Sequence, residues 1–297
     1  MINEDATQNE NNVPNAIKHV IVVMSGKGGT GKTTVAVNLA LSAIDNEKVC
    51  LADCDVEEPN DNLFLNLPVK KISDVCLMVP EINISKCDHC GKCSDFCRYS
   101  AIAILPKNHL IFEELCHGCG GCSIVCPKGA ISEKPKKIGE MRRAEKGNLE
   151  FYEGVLDIGQ PMAPPVIREI KRRLDAHKLT ILDAAPGAAC ATMETLKGSN
   201  YCILVTEPTP FGLHDLKVAV QAVRKLGIPF GIVLNMDGIG NDAVEKYCTF
   251  EKIPVLLKIP YDRKIAELYS KGIPFIEKMP EFKKEFLRML NFIRGSI

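Results

Sequence analysis

Apolar residues gather in short runs, each closed by glycine, proline or an acidic residue, with longer amphipathic stretches between them. Residues 20–24 form one such run, Val-Ile-Val-Val-Met, whose lack of alternation predicts a strand buried on both faces. Residues 48–53, 179–182, 201–205, 229–234 and 255–259 read as further strands of this kind. Between them, residues 33–44 are rich in Ala, Leu and Val, and residues 166–177 repeat apolar positions at Val166, Ile167, Ile170 and Leu174, as helices do. Residues 213–226 continue the helical pattern. Residues 281–294 place Phe282, Phe286, Leu290 and Ile293 at helical spacing. Strands alternating with helices predict an α/β fold, a mainly parallel sheet in three layers.

The first strand runs into Ser25-Gly-Lys-Gly-Gly-Thr-Gly-Lys-Thr-Thr34, in which Gly26, Gly31, Lys32 and Thr33 fit the spacing G-x-x-x-x-G-K-[ST]. A glycine-rich turn between strand and helix lets successive N–H groups of Lys27, Gly28, Gly29, Thr30 and Thr34 converge on phosphates without Cβ clashes. The positive helix terminus adds to that attraction. Lys32 then reaches the phosphates of ATP or ADP, and the Thr33 hydroxyl holds Mg²⁺. Two other strands end in carboxylates: Asp53-Cys54-Asp55 closes the second, and Asp183-Ala-Ala-Pro-Gly187 follows residues 179–182. Carboxylates at strand C-termini beside a phosphate loop sit where open α/β sheets bind their ligands.

The second lysine of the loop, Lys27, narrows the family. Lys-Gly-Gly-Thr-Gly-Lys-Thr resembles the deviant Walker A motif of the MinD/ParA-type ATPases, a group that includes nitrogenase iron protein and the iron–sulfur carrier ATPases. The resemblance implies an ATPase dimer, of identical chains or with a sister ATPase, in which Lys27 reaches the partner's nucleotide. It further implies that Asp55 orients the attacking water, that Asp53 supports the metal shell or the loop, and that Asp183 holds a magnesium-bound water. Gly187 becomes the γ-phosphate-sensing glycine, and adenine contacts pass to Asn235, Pro260 and Asp262.

With 46% hydrophobic residues in 297, the chain has enough apolar material for one large domain and a small insert. Lys plus Arg and Asp plus Glu balance at 37 each, so no global basic field argues for a nucleic-acid partner. No apolar run approaches the ~20 residues of a membrane span. The first 15 residues are acidic and Asn-rich without an apolar signal core, which predicts a disordered leader over 1–18 and a cytoplasmic protein. For the helix at 281–294, packing on its own sheet is favoured over the membrane binding of the terminal MinD helix.

Fourteen cysteines in a cytosolic chain point to metal rather than disulfides. Eight of them form two runs: Cys87-x-x-Cys90-x-x-Cys93-x-x-x-Cys97 and, 29 residues on, Cys116-x-x-Cys119-x-x-Cys122-x-x-x-Cys126-Pro127. Each run has the bacterial ferredoxin spacing, and the resemblance to two-cluster ferredoxins spans about residues 81–133. By the crossed ligation of that fold, one [4Fe–4S] cluster takes Cys87, Cys90, Cys93 and Cys126, and the other takes Cys116, Cys119, Cys122 and Cys97. A pair of zinc sites and plain buried cysteines are the alternatives. Arg98 departs from the pattern, standing where proline follows the fourth cysteine of the second run. The six remaining cysteines, Cys50, Cys54, Cys76, Cys190, Cys202 and Cys248, are expected to be small buried hydrophobes.

The predicted organisation is therefore an ATPase domain in two parts, 19–80 and 136–297, interrupted by a ferredoxin module over 81–135. Basic residues 134–146 read as the return linker. Three functions fit. An ATPase that moves low-potential electrons through two clusters to a redox partner stands slightly ahead of an ATP-dependent carrier that hands a cluster or metal to an accepting protein. A positioning ATPase comes third.

Overall fold

The structure, a computed structural model, describes residues 19–174 and 178–297. The leader expected over 1–18 and the end of the helix expected to reach His177 lie outside the described residues. Strand β1 (Val20–Ser25) is buried along its whole length and feeds helix α1 (Lys32–Ala43). β2 (Val49–Cys54) follows, equally buried, then the short helix α2 (Asp61–Leu65) and the long strand β3 (Lys70–Ile82). The cysteine-rich segment 83–130 contains α3 (Lys92–Phe96), the hairpin β4 (Ile102–Leu105) and β5 (Asn108–Ile111), and α4 (Gly121–Ile124). The chain returns through β6 (Ile131–Lys146) and β7 (Leu149–Leu156) to α5 (Pro164–Arg172) and β8 (Leu179–Ala184). Then come α6 (Cys190–Leu196), β9 (Tyr201–Thr206), α7 (Pro210–Lys225) and β10 (Phe230–Asp237). α8 (Ala243–Phe250), β11 (Val255–Pro260), α9 (Arg263–Ser270) and α10 (Glu281–Arg294) complete the chain.

Nine strands form one sheet in the order β11-β10-β9-β1-β8-β2-β7-β6-β3. Pairing is parallel from β11 to β7, and β6 and β3 join antiparallel at the edge. The mainly parallel α/β fold read from the sequence is the fold observed. Two hydrophobic clusters cover the two faces of the sheet: one holds Val22, Leu182 and Ile170, the other Ile21, Leu39 and Ile181. Phe286, Met289, Leu290 and Ile293 of α10 are buried in the second cluster, so the apolar stripe of this helix packs on its own domain. No helix among the described residues is long and apolar enough to cross a membrane.

Residues 134–146 are not a linker. They are the body of β6, paired with β3 from Lys70↔Arg143 to Ile82↔Ile131 and with β7 along its second half. Backbone pairing on both sides carries the strand, with Ile138, Met141 and Ala144 buried, and its charged residues face solvent or partners. Lys134 and Lys136 reach Glu113, while Arg142 and Arg143 reach Glu153 and Glu150. A register shift between Val75 and Cys76 of β3 breaks the period-two signal. The boundaries expected at 81 and 135 fall inside these two strands, and segment 83–130 sits at the far end of the hairpin they form.

Among the lone cysteines, Cys50, Cys54, Cys202 and Cys248 are buried as expected, but Cys76 and Cys190 are exposed. Cys76 lies on the edge strand β3, and Cys190 opens α6 at the surface.

Candidate functional site

Sheet register brings the phosphate loop and the carboxylates together. Asp183 pairs with Val23 on one side and Asp53 on the other, so the acidic ends of β2 and β8 flank the loop that leaves β1. The loop is fitted closely. A Cβ at Gly26 would stand 2.4 Å from the carbonyl oxygen of Asp215, and Gly31 holds φ +90° beside the Asn235 amide. Lys32 Nζ donates to Asp183 Oδ1 at 3.0 Å and lies 3.9 Å from Asp55 Oδ2, and Thr33 Oγ1 donates to Asp183 Oδ2 at 2.6 Å. Burial alone would lower the Lys32 pKa, but Asp183, with Asp55 behind it, outweighs burial and raises it.

Asp53 serves the loop. Its two oxygens accept backbone N–H bonds from Asp55, Asn60 and Asp61, which ties the whole turn after β2 to one buried carboxylate. Burial, reinforced by Asp183, pushes the Asp53 pKa up, and burial pushes Asp55 up to about 6 against the pull of Lys32. Asp61 is fully buried, also raised by burial, and neither of its oxygens has a hydrogen-bond donor. Four carboxylates thus surround one lysine. That charge deficit, with an orphaned buried carboxylate, is what a divalent cation would relieve.

A cavity of about 420 Å³ opens beside the loop, of a size that suits a small-molecule ligand. Gly28, Gly29, Gly31, Lys32, Thr33 and Thr34 line it. Asn235, Pro260 and Asp262 line it too, so the expected adenine contacts share one cavity with the expected phosphate contacts. Two of these side chains also have structural work. Asn235 Nδ2 donates to the Thr30 carbonyl at 2.8 Å, and Asp262 Oδ1 caps α9 by accepting from Lys264 N at 2.7 Å. The Gly187 N–H donates to Ser25 O at 2.8 Å, which lays the turn after β8 against the phosphate loop. Lys27 points away from the cavity to Glu207, 2.6 Å distant.

The eight clustered cysteines divide between two further cavities. Cys97, Cys116, Cys119 and Cys122 line a cavity of about 550 Å³; Cys87, Cys90, Cys93 and Cys126 enclose a space of about 10 Å³. Each set takes three cysteines from one run and the fourth from the other. Backbone N–H groups of Ala101, Gly118 and Ala130 point at the sulfurs of Cys97, Cys116 and Cys126, as suits thiolate ligands. Among the described residues no three Cys, His, Asp or Glu side chains converge closely enough to hold a single ion, so the sulfurs surround a volume rather than a point. Ala101 and Ile102 line the larger space, and Ala130 and Ile131 the smaller.

Residues 21–275 match the CobQ/CobB/MinD/ParA nucleotide-binding domain. The chain belongs to this family. An uncharacterized protein of Methanocaldococcus jannaschii is 34% identical over 87% of this chain and 91% of its own length. The iron-sulfur cluster carrier protein of the same organism is 26% identical, over 99% of this chain and 90% of its own. Among solved structures, the cell division ATPase MinD of Pyrococcus furiosus shares the fold, with a TM-score of 0.59, 23% identity, and coverage of 94% of this chain and 100% of that one.

Within this family fold, three groups at the site escape a reading of motifs. Glu207 holds Lys27, and its Oε1 also accepts from Thr209 Oγ1 at 2.9 Å. Thr209 in turn caps α7 by accepting from Gly212 N. Burial would raise the Glu207 pKa, but Lys27 and Thr209 leave it lowered. Asp61 enters because α2 begins beside Asp53. Tyr269 lines the cavity together with Pro260 and Asp262 and packs on Phe64, ring centroids 5.2 Å apart. The Glu-Pro-Thr-Pro stretch at 207–210 was the visible signal for the first. The other two carry none: Tyr269 packs on a residue far off in sequence, and Asp61 is tied to Asp53 only through its backbone N–H.

Proposed function

We propose that this protein is an ATP-hydrolysing carrier or assembly factor that holds two [4Fe–4S] clusters and passes cluster to a protein acceptor. One observation carries the reading: eight cysteines form two four-cysteine cavities at the end of a hairpin whose strands belong to the sheet bearing the phosphate loop. Relatives named as cluster carriers support it over electron delivery. Residues 81–135 form the cluster module, and 19–80 with 136–297 form the ATPase. The work is done in the cytoplasm.

In this reading the loop from Gly26 to Thr34 wraps the phosphates, and Asn235, Pro260 and Asp262 border the base. Magnesium, when bound, supplies positive charge at the β- and γ-phosphates. Thr33 and Asp183 hold it, and Asp53 keeps the neighbouring loop in place. Asp55 orients the attacking water, its raised pKa suiting a group that takes and returns a proton. Lys27 leaves Glu207 to reach the nucleotide of a second subunit in an ATP-bound dimer, and Gly187 follows the γ-phosphate. Coupling to the module runs through backbone. Leu156 N of β7 donates to Val56 O, next to Asp55, at 2.8 Å, and β7 pairs with β6, which leads to Cys126.

Anaerobic reconstitution should load about eight irons per chain. Transfer of iron from this load to an apo-ferredoxin should quicken with Mg-ATP and be lost in Lys32→Ala. Retention of all the iron through repeated hydrolysis overturns the carrier. A second reading, electron transfer, draws on the two cysteine sets lying side by side in one module. It requires cluster potentials that move with Mg-ATP, where ~59 mV is a tenfold change for one electron.

A further inference from the structure

The two halves of the cysteine module repeat one backbone with different walls. His89, Gly91 and Ser100 of the first run hold φ of 55°, 77° and 53°; Gly118, Gly120 and Gly129, each 29 residues later, hold 62°, 69° and 57°. Equivalent positions therefore sit over equivalent places in the two cavities, and their side chains can be compared directly. Over the smaller cavity stand Asp88 and Lys128, Nζ and Oδ2 3.9 Å apart, with Pro127 behind them. Their counterparts over the larger cavity are His117 and Tyr99, whose rings stack with centroids 3.5 Å apart and planes 8° from parallel, with Arg98 in the place of the proline.

The spaces below differ as the walls do. About 10 Å³ is open beside Cys87, Cys90, Cys93 and Cys126, whereas the cavity that Cys97, Cys116, Cys119 and Cys122 line together with Met78, Phe96 and Glu133 holds about 550 Å³. The small space is flanked by packed apolar residues: Ile82 and Ile131 are buried beside Cys93, with Ile104 against them. The large one opens to solvent past Tyr99, which is 47% exposed, and Phe96, which is 50% exposed. Incoming ligands can enter beside a cluster in the second cavity. In the first, where Cys90 is exposed as Cys119 is in the second, they would meet the Asp88–Lys128 pair instead of open space.

Resting on the carrier reading above, we propose that the cluster held by Cys97, Cys116, Cys119 and Cys122 is the one exchanged with an acceptor protein, while that held by Cys87, Cys90, Cys93 and Cys126 is resident. The acceptor presents cysteine thiols. Each incoming sulfur forms an Fe–S bond as one Fe–S(Cys) bond of this chain breaks. The proton given up by the incoming thiol passes to the departing cysteine, and no electron changes hands. Arg98 at the mouth favours the incoming thiol as thiolate, and the flat Tyr99–His117 pair lets a peptide slide past where the other half has an ion pair.

The test is iron release from the reconstituted full-length protein to excess bathophenanthroline disulfonate, followed beside transfer to apo-ferredoxin. Half of the iron should leave at least tenfold faster than the rest. The fast half should be missing from Cys119→Ala/Cys122→Ala and kept in Cys87→Ala/Cys90→Ala. A lid exchange that leaves every cysteine in place, Tyr99→Lys with His117→Asp, should slow the fast phase at unchanged iron content. A single rate for all the iron, or a fast phase belonging to the other four cysteines, overturns the assignment. Failure of the carrier reading looks different: two chelation rates with no iron reaching the acceptor.

Discussion

The phosphate loop and the cysteine module are built on opposite terms. Around the loop, backbone register alone sets Asp183 between Val23 and Asp53, and Lys32, Thr33 and Asp183 already touch. Strands buried along their full length make that arrangement part of the main core. Around segment 83–130 a separate small cluster consists of Ile82, Cys93, Ile102 and Ile131 with a few half-buried neighbours, Ala101 and Cys116 join the main core, and the clustered thiols stand around open space. So small a unit is short of buried surface and leans on metal or cross-links for stability. The difference teaches that the fold prepares its nucleotide site unaided, whereas on the proposed function the module would be finished by the clusters it binds.

The sharpest way to break this contrast is at Lys32. Lys32→Ala removes the cation that the loop presents to phosphate, and hydrolysis should fall ~10³-fold or more in a steady-state phosphate assay. The substitution leaves Asp183 without its cation and deepens the buried charge imbalance, at some cost in stability, but ten other buried residues hold α1 in place and the fold should survive. Asp55→Asn should lower hydrolysis ~10²-fold while ATP is still bound, since its role lies in the chemical step. A variant that hydrolyses normally in either test would move the active site elsewhere.

Next in size is the effect of iron. Stripping the reconstituted protein with chelator should increase hydrogen exchange throughout 83–130 by more than tenfold, while amides of β1, β2 and β8 keep their protection. If protection falls equally in the central strands, the two regions are not independent and the contrast fails. Unchanged exchange in the module would mean that its small core suffices.

The same contrast explains what could be read from the sequence. Local spacing marks both sites: the loop motif is contiguous, and each cysteine run fits within a few turns of chain. Even the crossed division of Cys97 and Cys126 follows from the ferredoxin resemblance. Contacts set by packing were invisible. Asp53 is occupied by the N–H groups of Asn60 and Asp61, Asp262 by a helix end, and Lys27 by a glutamate 180 residues away. β6 passed for a linker because pairing on both sides lets a strand carry six basic residues between 134 and 146. Cys76 and Cys190 looked like core because cysteine usually is.

The smallest effect tests the charge deficit itself. In the metal-free protein burial raises Asp55 from 3.8 to about 6, so between those values the folded chain binds more protons than the unfolded one. Stability therefore falls as pH rises through that window and stays lower above it. The shift corresponds to roughly 1–2 kcal/mol once solvent screening of this half-buried group is discounted. Asp53 and Asp61, raised for the same reason, act in the same direction. Urea unfolding in EDTA at pH 4.5 and pH 7.5 should show Asp55→Asn gaining on the wild type by about that amount at the higher pH. Mg-ADP, which binds only the folded state, should in turn stabilise the wild type more at pH 7.5 than at pH 4.5. Equal pH dependence in the two proteins would mean that Asp55 is not held back by burial, and that the four carboxylates do not share a want of positive charge.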